Sequence, residues 1–302
     1  MSSNVVVCLY KTLDYSFEKE YLYAFSNILI FKVMARHKGP LNFDGSLGNF
    51  RSYHDPSTGK QIDGEIGGPT SEEFWKNPNY APAQKRAIEL GGRSKWASLV
   101  KLGLFDIRHL MHSRAFNNIV AAGKPIQALD ETEEFGLRGI DANKDPSALM
   151  EIDFNKDLPF ESVIREIYQI SFSADKKTVT LTIPSFVPTR DIRRVTKYVA
   201  VRFFLNISQV SVVVWNPETK SYEPVVCDLE LISKCTVGEW IAKTNAAGEV
   251  VLEASFDEPA FSVPGTTVLA SLGIEFAVSM KQGQFTTLPQ SGTMAIVGYF
   301  TE

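Results

Sequence analysis

From residue 148 to the end of the chain, apolar and polar positions alternate over short runs rich in Val, Ile, Thr and Phe. A period of two over four to eight residues marks strands with one face buried. The runs fall at 148–154, 167–173, 178–184, 197–205, 209–215, 224–229, 249–256, 270–280, 284–288 and 294–300. Turn-forming clusters divide them: Ser173-Ala174-Asp175, Asn216-Pro217-Glu218, Asn245-Ala246-Ala247-Gly248 and Gln282-Gly283. Many short strands at this spacing predict an antiparallel β-sandwich with Greek-key links.

Upstream the period changes. Over 81–122, Ala87, Leu90, Trp96, Leu99, Val100, Leu104, Ile107, Leu110 and Met111 recur at spacings of three and four, the pattern of helix. Gly91-Gly92 and Gly103 are weak points at which a helix bends or breaks, and two helices separated near Gly103 are predicted. Gly123-Lys124-Pro125 is expected to end the helical region. Before it, Thr70 followed three residues later by Glu73 is a capping box opening a short helix through Trp75, which Asn77-Pro78 stops. Residues 41–66 carry Asp44-Gly45 and the cluster 55–59 around Leu47, Phe50 and Tyr53, which predicts a hairpin. The acidic stretch 126–147 reads as an irregular connection. Residues 1–33 are aromatic and apolar without a clear period, and they lead into Met34-Ala35-Arg36-His37-Lys38-Gly39, which resembles an ordinary translation start. Either Met34 is the true first residue, or 15–33 is a helix docked on the body. The expected organisation is an extension over 1–33, a hairpin-plus-helix module over 34–147 and a β-sandwich over 148–302.

Composition narrows the class without choosing a function. The 302 residues are 44% hydrophobic and 22% charged, which excludes pervasive disorder, a collagen-like chain and a disulfide scaffold. The net charge of −4 gives no global positive field to hold nucleic acid. Three cysteines, Cys8, Cys227 and Cys235, without CxxC spacing do not make a disulfide framework, and buried free thiols are expected. The apolar run at 21–31 is too short to span a bilayer, and Glu18 and Glu20 flank it where a signal peptide carries Lys or Arg. A cytoplasmic or virion-associated location is expected, with no membrane partner.

Few residues suggest chemistry. Asp106, His109 and His112 are spaced by three, so a helix would bring them to one face as weak candidates for a metal; no HExxH motif accompanies them, and a solvated face is the plainer reading. Asp141-x-Asn143-x-Asp145 begins like a calcium loop but has Pro146 where Gly is needed and Ile152 where Glu is needed, which leaves a polar turn. No P-loop, GxSxG or paired-carboxylate signature is present, so no catalytic residue and no cofactor is expected. Arg190, Arg193, Arg194 and Lys197 form a basic run that could touch an anionic partner, the alternative being a solvated rim of the sandwich. Trp75, Trp96, Trp215 and Trp240 are dispersed, and core packing explains them better than a sugar or base platform.

Several stretches together resemble a family of uncharacterised proteins from Bacteroidota bacteria. These are MARHKGPLNFDGSLGNFRSYH from Met34, Gly67-Gly68, Asn77-Pro78, Glu89-Leu90-Gly91, Arg138-Gly139, Asp153-Phe154-Asn155, TLTIPSFVP over 180–188, LGIEF over 272–276, Gly283, Leu288 and Gly292-Thr293-Met294-Ala295-Ile296-Val297. They keep the family's order across residues 34 to 300. The chain departs from it at 84–89, where relatives carry an Arg-Glu-Asn-containing helix. The resemblance implies an α+β, mainly β fold: an N-terminal β-hairpin and helices followed by an immunoglobulin-like antiparallel β-sandwich. It carries over no activity and no catalytic residue.

Without a converged acid, base, nucleophile or metal set, the expectation is a non-catalytic structural or protein-interaction protein, such as a subunit of a phage-like virion or an appendage, with protein or a second copy of itself as partner. A carbohydrate-binding sandwich is the alternative, and a hydrolase with an unrecognised site stands third.

Overall fold

A computed structural model gives the fold. It describes residues 43–55, 58–164, 168–174, 177–193, 195, 197–226, 233–257, 264–281 and 284–300. The chain divides after Gly68 into two compact units. The first contributes a three-stranded antiparallel meander of β1 (Gly45–Leu47), β2 (Phe50–Asp55) and β3 (Lys60–Glu65). Its turns pass through Gly48 and Gly59 at φ of 58° and 63°, a region that side chains disfavour. Ser52 donates its hydroxyl to Asp63 and accepts from Gln61 Nε2 at 2.7 Å. The expected hairpin is therefore a hairpin with one further strand. The expected extension at 1–33 lies outside the described residues.

In the second unit, Thr70 Oγ1 accepts the Glu73 N–H at 3.1 Å and opens α1 (Ser71–Lys76) as the capping spacing requires. The helices α2 (Ala81–Gly103) and α3 (Ala115–Ala128) follow, joined through a 3-10 turn at Phe105–Leu110. The break near Gly103 is present. Gly91-Gly92 does not break α2. A Cβ at Gly92 would lie 2.8 Å from ring carbons of Tyr222, so the glycine serves close packing. Nor does Gly123-Lys124-Pro125 end α3, which runs to Ala128. Gly123 seats against Trp96, and burial of Ile126 and Gln127 holds the last turn despite the missing N–H of Pro125.

The strand expected at 148–154 is absent. One helical turn, α4 (Ser147–Met150), occupies its start, and Leu149, Ile152 and Phe154 bury at spacings of three and two rather than in strict alternation. Next come α5 (Phe160–Val163), β4 (Gln169–Phe172), β5 (Thr178–Ile183), α6 (Pro188–Asp191) and β6 (Ala200–Ser211). The chain closes with β7 (Val213–Asn216), β8 (Ser221–Pro224), β9 (Ser233–Val237), β10 (Ile241–Ala242), β11 (Val250–Ser255), β12 (Thr266–Lys281) and β13 (Gln284–Phe300). β6 runs straight through the gap expected at 206–208. The two final runs are one strand, with irregular register opposite β12 between Glu275 and Ser279. β9 and β10 carry no clear alternation and were not anticipated. Part of the run expected at 224–229 lies outside the described residues.

All strand pairs are antiparallel. One sheet has the order β11-β5-β4. The larger has β6-β12-β13, with β9 and β10 both on the far side of β6. The fold is α+β and mainly β. The two sheets share a core of Val179, Leu181, Ile183, Leu252 and Ala254 against Val201, Phe203, Leu205, Ile207, Leu272 and Ile274. A second core lies on the opposite face of the larger sheet, where Trp96, Val100, Leu104, Ile107, Leu110 and Ile119 of the helical region meet Phe204, Val210, Leu269, Met294 and Ile296. The unit thus has three layers: helices, larger sheet, smaller sheet. Residue 147, the expected boundary, opens α4 within this unit. Each fully buried Leu, Ile or Phe contributes roughly 1.5–3 kcal/mol, so the helices cannot leave the sheet as an independent module without exposing that second core.

Candidate functional site

The three metal candidates sit on and just after the 3-10 turn, but their contacts diverge. His109 Nε2 lies 3.5 Å from Glu275 Oε1. His112 Nε2 lies 3.6 Å from Asp157 Oδ2, and its Nδ1 accepts the Arg114 N–H at 3.2 Å. Asp106 stands near Cys235, whose thiol is pushed up to about 12, mainly by burial and further by that carboxylate; such a thiol is unreactive at neutral pH. Cys8 and Cys227 lie outside the described residues. Among the described residues no group of three or more His, Cys, Asp or Glu side chains could hold a metal ion.

The structure brings His109 into a cluster that sequence reasoning missed. Arg202 from β6 donates to Glu275 of the adjacent β12 through Nε at 2.8 Å and Nη2 at 2.7 Å. Its guanidinium also stacks over Trp240 at 4.4 Å and Phe204 at 5.0 Å. Burial alone would raise the Glu275 carboxyl, but hydrogen bonds from His109 and Arg202 and their charges outweigh it and hold the group below the usual range. A signal was present: Arg202 and Glu275 are charges set inside the apolar strands VRFFL and GIEFA.

A second network fixes the acidic connection. Glu89 of α2, 4% exposed, accepts Arg138 Nε at 2.7 Å, Arg138 Nη2 at 3.0 Å and the Gly136 N–H at 3.0 Å. Burial pushes its carboxyl up, and the Arg138 and Gly136 hydrogen bonds with the charges of Arg138 and Arg93 bring it below normal. Asp130 is likewise lowered, against its own burial, by Thr132, the Gly139 N–H and Lys144. Tyr222 donates to Arg138 O at 3.1 Å. Glu89 and Asp130 are both matched to donors, which makes a clamp on the loop. The calcium-like stretch is also a tie. Asp141 caps the Asn143 N–H, and Asn143 bonds Thr266 O at 3.2 Å and Thr267 Oγ1 at 2.8 Å, joining the loop to the start of β12.

Of the basic run, Arg190 is paired with Asp191 at 2.8 and 2.9 Å, so part of its charge is cancelled locally. Arg193 and Lys197 are exposed, and Arg194 lies outside the described residues. Among the tryptophans, Trp96 is fully buried, and Trp75, Trp215 and Trp240 contact Phe74, Tyr222 and Phe285 rather than one another.

A further candidate lies along β13. Among the described residues this strand pairs only with β12. A cleft of about 500 Å³ runs beside it, lined by Ala295, Ile296 and Val297, by residues 150–153 and by Pro159, Phe160, Glu161 and Tyr168. Ile152 and Ile296 belong to the core beneath the helices, and Phe160 to the core between the sheets. The cleft therefore opens where the three layers end.

Comparison with protein-family models, curated proteins and solved structures returns no match to this chain. Among the described residues no helix is long and apolar enough to cross a membrane.

Proposed function

We propose that this chain is a non-catalytic structural or protein-interaction protein, a subunit of an assembled particle such as a phage-like virion or an appendage. The observation that carries the reading is the long strand β13, which among the described residues pairs on one side only and is flanked by a cleft. Natural proteins usually blunt, cover or charge such edges, because an unpaired row of N–H and C=O groups invites another strand. The buried ionic groups support the same reading, since Glu89 and Glu275 are held by arginines that neutralise them, which suits scaffolding more than proton transfer. Analytical ultracentrifugation at rising concentration, with affinity capture from the native host, tests it. A concentration-dependent assembly or a stoichiometric partner is expected; a strict monomer with no co-purifying protein would overturn it.

The immunoglobulin-like reading of the sandwich is part of this proposal. Setting aside the β7–β8 hairpin and the two-residue β10, and numbering β4, β5, β6, β9, β11, β12 and β13 in chain order, the first, second and fifth form one sheet and the third, fourth, sixth and seventh the other. That partition supports the reading, since it is similar to the Greek-key arrangement of immunoglobulin-type sandwiches with the fourth strand moved to the second sheet. The resemblance to the Bacteroidota family is part of the same proposal, and two pairs of the stretches that carry it meet in the fold. Glu89 pairs with Arg138, and Asn155 Nδ2 donates to Gly292 O at 2.7 Å.

A carbohydrate-binding role is the second reading. It is favoured by the half-buried Trp240, whose ring lies 5.1 Å from Phe285 beside the Arg202–Glu275 pair, a mix of aromatic face and fixed polar groups that suits a sugar. A glycan array on the intact protein, with Trp240→Ala as control, decides it; no glycan bound above that control would exclude it.

A further inference from the structure

We propose that the cleft beside β13 is a strand-acceptor site for an extended segment of a partner protein in which basic and apolar residues alternate. The inference rests on the interaction reading above and names the site and the partner chemistry.

Three features of the cleft select this occupant. The floor is backbone. In an antiparallel pair, alternate residues turn their N–H and C=O groups away from the neighbour, and among the described residues β13 has a neighbour strand on one side only. The free run is bounded. At one end Asn155 occupies the Gly292 carbonyl at 2.7 Å, and at the other Phe172 of β4 contacts Phe300 with ring centroids 6.0 Å apart. Between them residues 295–297 face the cleft. An incoming strand would continue the larger sheet, gaining main-chain hydrogen bonds irrespective of its sequence.

The walls supply the selection. Residues 150–153 form one lip, with Glu151 and Asp153 exposed on it. Pro159, Phe160 and Tyr168 form the other, with Glu161 at its side. The charged groups among the described lining residues are Glu151, Asp153 and Glu161, so this lining presents negative charge in a partly enclosed space. Successive side chains of a strand fall to opposite sides. A segment alternating Lys or Arg with an aliphatic residue therefore sets its cations against Glu151 and Asp153 and its apolar groups against Pro159 and Tyr168. An acidic segment meets like charge, and a helix cannot reach the strand's free backbone groups.

The test uses the full chain and fluorescently labelled peptides of about ten residues, enough to exceed a typical strand. One peptide alternates Lys and Val, a second alternates Glu and Val, and a third is the Lys-Val sequence with N-methyl groups at alternate amides. Fluorescence anisotropy should show binding of the Lys-Val peptide, with both other peptides weaker by about tenfold or more. Glu151→Lys with Glu161→Lys, both at exposed positions, should weaken the Lys-Val peptide by a similar factor of about ten, and circular dichroism verifies that the double variant folds. Equal binding of the Lys-Val and Glu-Val peptides, no loss on N-methylation, no effect of the double variant, or no binding of the Lys-Val peptide at millimolar concentration would each overturn the proposal. Sedimentation of the same samples separates the two levels. If the protein assembles or holds a partner while the peptide results fail, the interaction reading stands and this site falls. If the double variant instead dissolves a self-association, the occupant is a second copy and the assignment of a basic partner is overturned.

Discussion

The larger sheet has two buried faces, and they are made of different residues. Toward the smaller sheet, β6 and β12 present Val201, Phe203, Leu205 and Ile207 beside Val268, Ala270, Leu272, Ile274 and Phe276. Toward the helices the alternate positions hold Phe204, Asn206, Ser208, Leu269, Ser271, Gly273 and Glu275, nearly all fully buried. Sheet against sheet, large side chains interdigitate across a gap of about 10 Å. The 3-10 turn and the end of α2 come closer. Cβ atoms at Gly273 and Gly292 would lie 2.7 and 2.6 Å from the methyl carbons of Leu110, and one at Gly103 would lie 2.7 Å from Ser208 Cβ. Asn206 Nδ2 donates to Gly103 O at 2.9 Å, yet Asn206 Oδ1, Ser208 Oγ and Ser271 Oγ make no hydrogen bond among the described residues. What this face selects is smallness, and serine is a small residue whose hydroxyl is tolerated. A polar residue at every second strand position therefore does not signify solvent.

The largest expected effect comes from breaking the helix face. Trp96→Ala should cost about 3–5 kcal/mol, as Phe203→Ala should on the opposite face. Because both cores are built on the larger sheet, urea denaturation followed by far-ultraviolet circular dichroism should show one transition moved by either change. A sheet transition that ignores Trp96→Ala would mean that the helices fold apart from it.

Arg138→Ala leaves the Glu89 carboxylate buried without its partner. An enclosed pair broken on one side loses about 3–5 kcal/mol, and since the Arg138 side chain is 22% exposed the expected loss is about 2 kcal/mol. Chemical denaturation measures it, and a loss below measurement error would show that the clamp on residues 130–139 does not stabilise the fold.

Gly273→Ala should cost about 1–2 kcal/mol by overpacking Leu110, and Leu110→Ala about 2–4 kcal/mol alone by opening a cavity. The double variant should lose less than the sum, since the new methyl enters the space vacated. Strict additivity would contradict the close approach that distinguishes this face.

The smallest effect is in pH. The carboxyls of Glu89, Asp130 and Glu275 are held below their ordinary values of 4.5, 3.8 and 4.5, so their ionised forms stabilise the fold at neutral pH. That contribution is lost as pH falls below those ordinary values and through the lower folded ones. Denaturation midpoints at descending pH should drop in this window, and Glu89→Gln should make the drop shallower. An unchanged slope in the variant would show that Glu89 does not titrate with folding.

Local rules read well where local chemistry decides. The capping box at Thr70, the helix end near Gly103 and the strands at 178–183 and 250–255 follow from spacing and side-chain type alone. Residues 148–154 misled because Leu149, Ile152 and Phe154 look strand-like by composition, while their burial beneath the helices is a tertiary matter. The candidate site was less legible still. Glu151, Asp153, Glu161, Tyr168 and residues 295–297 come from three separate stretches, and no spacing rule connects them. The pairs Glu89–Arg138 and Arg202–Glu275 were visible only as isolated charges in apolar surroundings.

The sequence by itself determined the mainly β character, the antiparallel strands and the helical region before them, because periodicity and turn chemistry act over a few residues. Tertiary structure decided that the helices cover the second face of the larger sheet, that His109 turns to Glu275 instead of His112, and that β13 lies at the edge of the larger sheet among the described residues. These outcomes depend on which surfaces fit at close range, and that fit is set by glycines and small side chains far apart in the chain.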